Sequence, residues 1–470
     1  MRRRARQATL PYPCRMNDRQ ETAGAEEAGR VPGTGFPLAT TVRDALYDRI
    51  PLSEPELALI GTRAFLRLDR IQQLGFVSRV WPGAKHARYD HSLGVLHLAR
   101  LAIAHLRTTR EGAWITDEDA RVTVAAALLH DIGHYPFSHA IEELGSPVLP
   151  HEAVGKRLIL GTEIAPMLRS AWGVDPERVA TVIDPAGAEM PPADRLLRGI
   201  LSGPLDVDKL DYLPRDARAC NVPYGGVDTA RLIDALGIAD VGEGEPAPRI
   251  VIGEKGVSPL HSLINARQEM FDNVYWHHTN RACMAMLLRG VQEALLANAV
   301  TPVELTDHDD ASLLTLLSEP EMPEPTRRLT AALRDRHVHK RAVEISARAF
   351  ELYARVGNLY FDPLARRTAE DQIAQGLGDR LGEVIPPGSV LIDVPKPERW
   401  RTDVWVRFER PPIGFRPVMP WRDVVGLEDA DFKRYEEHRR LIRIVAAAPY
   451  REALATQWES LLVPLLGGVL

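Results

Sequence analysis

A mainly α-helical protein with a minor β component is what this 470-residue sequence predicts. Three observations carry the prediction. Apolar residues recur at spacings of three and four through most of the chain, which is the period of a helix with one buried face. Two-residue alternation of β-branched residues is confined to a hairpin-like stretch near 236–254 and short runs near 389–408. No segment repeats at a fixed interval, so a solenoid or propeller is excluded.

Each element follows in order. Residues 1–36, ending in GAEEAGRVPGTGFP, are rich in charge, Gly and Pro without apolar periodicity and are expected to form a disordered tail. EPELALIGTRAFLRLDRIQQLGFV sets Leu57, Ile60, Phe65, Leu68, Ile71 and Leu74 at helical spacing. DHSLGVLHLARLAIAHLRTTR continues that pattern, and DEDARVTVAAALLH adds an acidic first turn suited to the positive end of a helix dipole. PPADRLLRGILSGPLDVDKLDYLPRDA predicts two helices broken near Ser202-Gly203-Pro204, and GIADVGEGEPAPRIVIGEK predicts the hairpin. A long helical pattern returns in SPLHSLINARQEMFDNVYWHHTNRACMAMLLRGVQEALL. Beyond residue 300, DASLLTLL, PTRRLTAALRDRHV and RAVEISARAFELYARV read as helices, while GSVLIDVP and TDVWVRFE read as strands. The expected division is therefore a core domain over 37–300 and a helical and β extension over 301–470 that packs on it.

Composition narrows the function. A formal charge of −6 excludes a generally basic surface, so nucleic acid is not expected as a main partner and any polyanion must be held by a local cation cluster. Cys14, Cys220 and Cys283 lie far apart, which excludes a disulfide framework and a cysteine-built zinc site and fits a reducing cytoplasm. MRRRAR is followed by no apolar leader segment, and no apolar stretch reaches membrane-spanning length.

The chemistry concentrates in ALLHDIGHYPFSHA, residues 127–140. An adjacent His130 and Asp131 on a buried helix without partners would cost on the order of several kcal/mol, so they are expected to share a ligand. Transition ions favour imidazole nitrogen with carboxylate oxygen, and His91, His130, Asp131 and Asp208 lie on three segments whose packing could bring them to one ion. His97, His105, His261 and His278 are read as ordinary structural histidines. Spacing alone leaves Asp206 and Asp211 as rivals of Asp208, His151 as a helix-flanking residue, and Arg88 and Lys209 as surface ion-pair residues.

The order RYDHSLG, LLHDIGHYPFSH, HE and DVDKLDYLPRD resembles the HD-domain metal-dependent phosphohydrolases, within them the dNTP triphosphohydrolase branch that takes in SAM and HD domain-containing and bacterial dGTPase-like members. RIQQLG, PGAKHARYDHSLG and ARQEMFDNVYWHH extend the resemblance from about Val42 to about Leu317. It implies an HD-domain helical bundle with His91, His130, Asp131 and Asp208 as ligands of one divalent transition metal (Mn, Fe, Co or Zn), with Mg on the triphosphate as a further ion. It implies His134, His151 and His139 around the α-phosphate, with Glu142 as the acidic partner that fixes the His139 ring. Arg88, Lys209 and Arg267 would contact phosphate, Tyr212 and Tyr275 the sugar and phosphates, and Asp216 the sugar. Gln73 and Leu74 would read the 3′-hydroxyl and crowd the 2′ position.

The activity so implied is release of intact triphosphate from a (deoxy)nucleoside triphosphate by a homo-oligomer, dimer or tetramer, to which the apolar LLVPLLGGVL terminus would suit a buried contact. Departures are specific: Gly61 and Asp69 replace the aspartate and arginine of the branch's activator site, and Phe271 and Trp276 replace polar pocket residues. The alternatives are an HD phosphohydrolase of another nucleotide (an NTP, a modified purine nucleotide, guanosine tetraphosphate or a cyclic nucleotide) and a non-catalytic nucleotide or nucleic-acid sensor.

Overall fold

The computed structural model describes residues 29–241, 248–396, 403–428, 430–431 and 440–465. Its centre is the helix Asp117–Leu129, whose residues from Val124 to Leu129 are wholly buried. The helix starts where it does because Thr116 and Asp119 cap each other: the Asp119 amide donates to Thr116 Oγ1 at 3.1 Å and the Thr116 amide to the Asp119 carboxylate at 2.9 Å. A run of three alanines lets neighbours approach closely on every side, and the helices Arg88–Thr108, Pro176–Ile183 and Pro192–Leu201 pack around it. Truncating Leu128 to Ala would remove about 2–5 kcal/mol of this packing.

Two further cores build outward. One joins Tyr135, Phe137 and Val148, from the loops after the central helix, to the helices His278–Leu296 and Glu324–Arg334. The other lies between a three-stranded antiparallel sheet and the helices Phe350–Gly357, Pro363–Leu381 and Arg451–Leu465. In chain order the strands are β1 (Leu38–Asp44), β2 (Asp48–Ser53), β3 (Leu236–Asp240), β4 (Pro248–Gly253), β5 (Lys340–Ser346), β6 (Val390–Asp393), β7 (Trp405–Arg407), β8 (Val418–Pro420) and β9 (Leu441–Ala446). They form a β1-β2 hairpin, a β3-β4-β7-β8 sheet in which β4 and β7 run parallel, and the β5-β9-β6 sheet. Among the described residues no helix is long and apolar enough to cross a membrane.

The mainly helical class holds, as do the broken helices around residue 203, the 236–254 hairpin and the late strands. Four elements differ. Residues 29–36 are packed, with Val31 buried and the Phe36 ring edge-on to Trp172; residues 1–28 of the expected tail lie outside the described residues. The stretch 54–77 is helical but broken: the α-helix Glu54–Ile60 ends at Gly61, Thr62 re-caps the chain for the short helix Arg63–Leu66, and 3-10 turns follow at Arg67–Arg70 and Gly75–Arg79. RAVEIS is strand β5: Val343 and Ile345 face inward while Glu344 between them meets Arg443 of β9, a period of two inside a stretch taken for helix. At the other end, Leu461 and Leu462 are spent on the chain's own core, and residues 466–470 of the apolar terminus lie outside the described residues.

Candidate metal centre and adjoining cavity

Three helices converge on one point. His91 sits in the first turn of Arg88–Thr108, His130 caps the C-terminus of the central helix with Asp131 next, and Asp208 lies in the first turn of Val207–Cys220. His91 Nε2 is 3.0 Å from Asp208 Oδ1 and 3.7 Å from Asp131 Oδ2. His130 Nε2 is 3.3 Å from Asp131 Oδ1 and 3.7 Å from Asp208 Oδ1. The four groups singled out in the sequence therefore face one another.

The outer ring nitrogens decide what the inner ones can do. His130 Nδ1 is 2.8 Å from the Ala127 carbonyl, which only accepts, so the proton sits on Nδ1 and Nε2 presents a lone pair. That Nε2 is buried and has no hydrogen-bond partner among the described residues, which is the state of a nitrogen shaped to ligate a cation. His91 Nδ1 is 2.8 Å from Asp211 Oδ2, again fixing the ring with Nε2 inward. Histidine, histidine and two carboxylates form a donor set that fits a divalent metal. Burial opposes protonation of His91, yet hydrogen bonds to Asp208 and Asp211 raise its pKa to about 10, a measure of how much negative charge has been gathered here. Burial likewise raises Asp131 and Asp208, but Arg88 with His130 and His134 holds the first well below the usual range, and His130 with His91 holds the second low.

Asp211, left as a rival of Asp208, is the residue behind His91. Its carboxylate takes hydrogen bonds from Arg215 at 2.8 and 2.9 Å and from the Tyr47 hydroxyl at 2.8 Å, and Arg215 is tied in turn to Asp44 at 2.9 Å. Gly94, one turn beyond His91, makes room for this: a Cβ there would stand 1.8 Å from Asp211 Oδ1. Gly94→Ala should therefore displace Asp211 and weaken metal retention about 10–100-fold, measurable by competition with a chelator; unchanged retention would free His91 from dependence on Asp211.

A second cluster adjoins the first. Pro136 prevents the helix from resuming after His130, and the turn passes through Gly133, where a Cβ would meet the His151 carbonyl at 2.1 Å. That close approach stacks the His134 and His151 rings with centroids 3.8 Å apart. Glu142 pairs with His151 Nδ1 at 2.9 Å, whereas His139 Nδ1 lies 3.7 Å away, outside hydrogen-bond reach, and its side chain is 63% exposed. The partner expected for His139 thus holds His151 instead. Ser138–Leu144 is a 3-10 turn that places 139 and 142 on one side, but His151 comes closer from the next helix, His151–Ile159. Both clusters, His91-His130-Asp208 and His134-His139-Glu142-His151, have ligand atoms near enough together to hold a metal ion.

A cavity of about 970 Å³ opens beside both. Gln73, Leu74, Arg88, Lys209, Tyr212, Asp216, Arg267 and Tyr275, the eight residues matched to substrate contacts, all line it, as do His139, Glu142, His151 and Asp208. His91, Asp131 and His134 are buried behind it. Several of the eight are already engaged. Arg88 pairs with Asp131 and donates from Nε to Ser138 Oγ at 3.0 Å; Lys209 Nζ reaches Asp206 at 2.5 Å and the Gly203 carbonyl at 3.0 Å. Both Asp216 oxygens are occupied, by His86 at 2.8 Å and the Tyr275 hydroxyl at 2.7 Å, so this carboxylate orients Tyr275. Gln73 Oε1, by contrast, is buried without a partner among the described residues. Burial pushes the Tyr212 phenol up to about 12, keeping it a neutral donor. Phe271 and Trp276 line the cavity as expected, and Tyr360 and Lys396 reach it too, from positions too far along the chain for sequence spacing to connect them.

Residues 88–213 match the HD domain family and residues 227–408 the HD associated region. YwfO of Bacillus subtilis is 35% identical over 237 residues, 50% of this chain and 51% of that protein. The deoxynucleoside triphosphate triphosphohydrolase SAMHD1 homolog of Dictyostelium discoideum is 27% identical over 323 residues, 65% of this chain and 60% of that protein. The chain thus spans about half the length of the curated relatives it matches. A hypothetical protein from Aquifex aeolicus has the same fold, with a TM-score of 0.65 at 24% identity over 89% of this chain and 99% of that one. Motif order, converging ligands and matched domains meet in one conclusion: the chain carries an HD domain over residues 88–213 followed by an HD associated region over 227–408, and is similar to SAMHD1-like proteins.

Proposed function

We propose that the protein hydrolyses (deoxy)nucleoside triphosphates to nucleoside and inorganic triphosphate. The observation that carries this reading is the juxtaposition of the His91-His130-Asp131-Asp208 set with a histidine-glutamate pair on the wall of a cavity of about 970 Å³ that also takes in Arg88, Lys209 and Arg267. A divalent transition ion held by the four ligands, whether Mn, Fe, Co or Zn, supplies neutralisation of phosphoryl charge and a lowered pKa for a water, with Mg on the triphosphate as a further ion.

The chain's own residues supply the rest. Arg88, Lys209 and Arg267 gather positive charge where the triphosphate would lie. His151 is the proton donor: burial opposes its charge, but Glu142 at 2.9 Å raises its pKa, so the ring holds a proton for a leaving 5′ oxygen. His134 stays neutral, because burial, Arg88 and His151 all press its pKa well down. Gln73, with its buried carbonyl oxygen, reads a sugar hydroxyl, and Leu74 beside it excludes a second one. The same reading makes the protein a cytoplasmic homo-oligomer, dimer or tetramer.

A panel of dNTPs, NTPs and cyclic nucleotides incubated under several metals, with products read by chromatography, tests the proposal: intact triphosphate is expected. Orthophosphate, pyrophosphate or a linearised cyclic nucleotide would assign a different reaction. Leu74→Ala should cut the preference for deoxyribose about tenfold or more, seen as the ratio of kcat/KM for matched dNTP and NTP pairs; an unchanged ratio removes Leu74 from sugar selection. One feature favours a second substrate class: Phe271 and Trp276, with ring centroids 5.3 Å apart, give the cavity an aromatic wall that would accept a modified purine by stacking.

A further inference from the structure

Asp310 lies outside the matched HD domain and outside the cavity lining, yet it is buried and its carboxylate joins the two loops that face the proposed nucleotide. Oδ2 accepts the Gln72 amide at 3.0 Å, and Oδ1 accepts the Phe137 amide at 2.7 Å. Gln72 precedes the sugar-reading pair Gln73-Leu74; Phe137 precedes Ser138 and His139. We propose that Asp310 is a positioning residue that sets the spacing between the sugar-reading loop and the histidine loop, and through them the sugar selectivity of the site. The selectivity part rests on the reading given under Proposed function.

The histidine loop needs such a holder. Phe137 and Ser138 are consecutive non-glycine residues in the left-handed region, with φ of 57° and 60°, a strain that surrounding contacts must offset. The contacts are present. The Phe137 ring stacks on Phe76 with centroids 4.4 Å apart, Ser138 Oγ donates to the Gln72 carbonyl at 2.9 Å, and Arg88 donates to Ser138 while gripping Asp131. A single connected path therefore runs from Asp310 through both loops to a proposed metal ligand. Arg67 ties the segment that carries Asp310 to the histidine loop, spanning from the His308 carbonyl at 2.8 Å to the His134 carbonyl at 2.6 Å, whereas Asp309 faces away, to Arg70 at 2.7 Å and the Ser312 amide at 2.9 Å. Only an ionised carboxylate satisfies both loops at once. The amide of Asn has one acceptor oxygen, and its NH2 would confront the second backbone N–H.

The test compares Asp310→Asn with Asp309→Ala, which loosens the same turn without touching either loop. In Asp310→Asn, amide hydrogen exchange in peptides spanning 72–75 and 134–139 should quicken at least about tenfold, with the helix Arg88–Thr108 and metal content unchanged. The dNTP-over-NTP preference should fall about tenfold with kcat, and KM should move much less. Asp309→Ala should lower Tm but leave exchange in those loops and selectivity as in the native protein. Asp310→Glu, which keeps both acceptors but sets them one methylene further out, serves if the Asn variant does not fold and should give an intermediate shift in selectivity. Native exchange rates in the Asp310 variants, or altered exchange with native selectivity, would overturn the inference. If the native protein releases no triphosphate from any nucleotide, the reading under Proposed function fails on its own, and the exchange comparison still decides whether Asp310 holds the two loops.

Discussion

Replacing His130 and Asp131 together with alanine should abolish both metal retention and nucleotide hydrolysis while leaving helix content near native. The two side chains supply half of the proposed ligand set, and His130 Nε2 is one of the buried nitrogens that find no hydrogen-bond partner among the described residues. Helix content should survive because His130 caps the central helix from outside it, and the buried stretch from Val124 to Leu129 is untouched. Stability should not survive intact. Loss of Asp131 strips the nearly buried Arg88 of its carboxylate, at about 3–5 kcal/mol, so the variant should be assayed below a lowered Tm. Metal analysis by mass spectrometry, circular dichroism and triphosphate release on one preparation settle it; hydrolysis persisting in the metal-free double variant would refute a metal-centred reaction.

The second large effect separates catalysis from ligation. His151→Ala should lower turnover about 10²–10⁴-fold, the range for loss of a positioned general acid, with metal content nearly unchanged. The geometry behind this is the 2.9 Å contact between His151 and Glu142 on the cavity wall, neither of them among the four proposed ligands. Glu142→Gln should weaken the hold on that proton and move the fall in rate with rising pH to lower pH, since the carboxylate is what raises the His151 pKa against the effect of burial. Equal loss of metal and turnover in His151→Ala would make His151 a ligand.

Much of the candidate site was legible in the sequence because its chemistry is local. His130-Asp131 and the histidines that follow stand within ten residues, and the buried alanine-rich helix before them has an unambiguous period. Asp211 was not legible: on spacing it is one of three similar aspartates, and what distinguishes it is the burial and the Tyr47 and Arg215 bonds that only folding brings together. The contact of Glu142 with His151 is hidden for the same reason, since three-residue proximity to His139 is visible in one dimension while the nearer His151 arrives across the Gly133 contact. Asp310 lies more than 170 residues along the chain from the loop it holds. In the fold, β5 escaped because RAVEIS runs straight into a helical segment and its inward Val343 and Ile345 are too few to outweigh the pattern around them. β9, LIRIVA, is legible only as the middle strand between β5 and β6, where it is covered on both edges.

The central claim is that one divalent ion sits among His91, His130, Asp131 and Asp208. Anomalous diffraction from crystals soaked in Mn²⁺ measures it most directly. The expected result is a peak about 2.0–2.2 Å from His91 Nε2, His130 Nε2 and one oxygen each of Asp131 and Asp208. A peak seated instead among His134, His139, Glu142 and His151, with nothing at the first position, would contradict it.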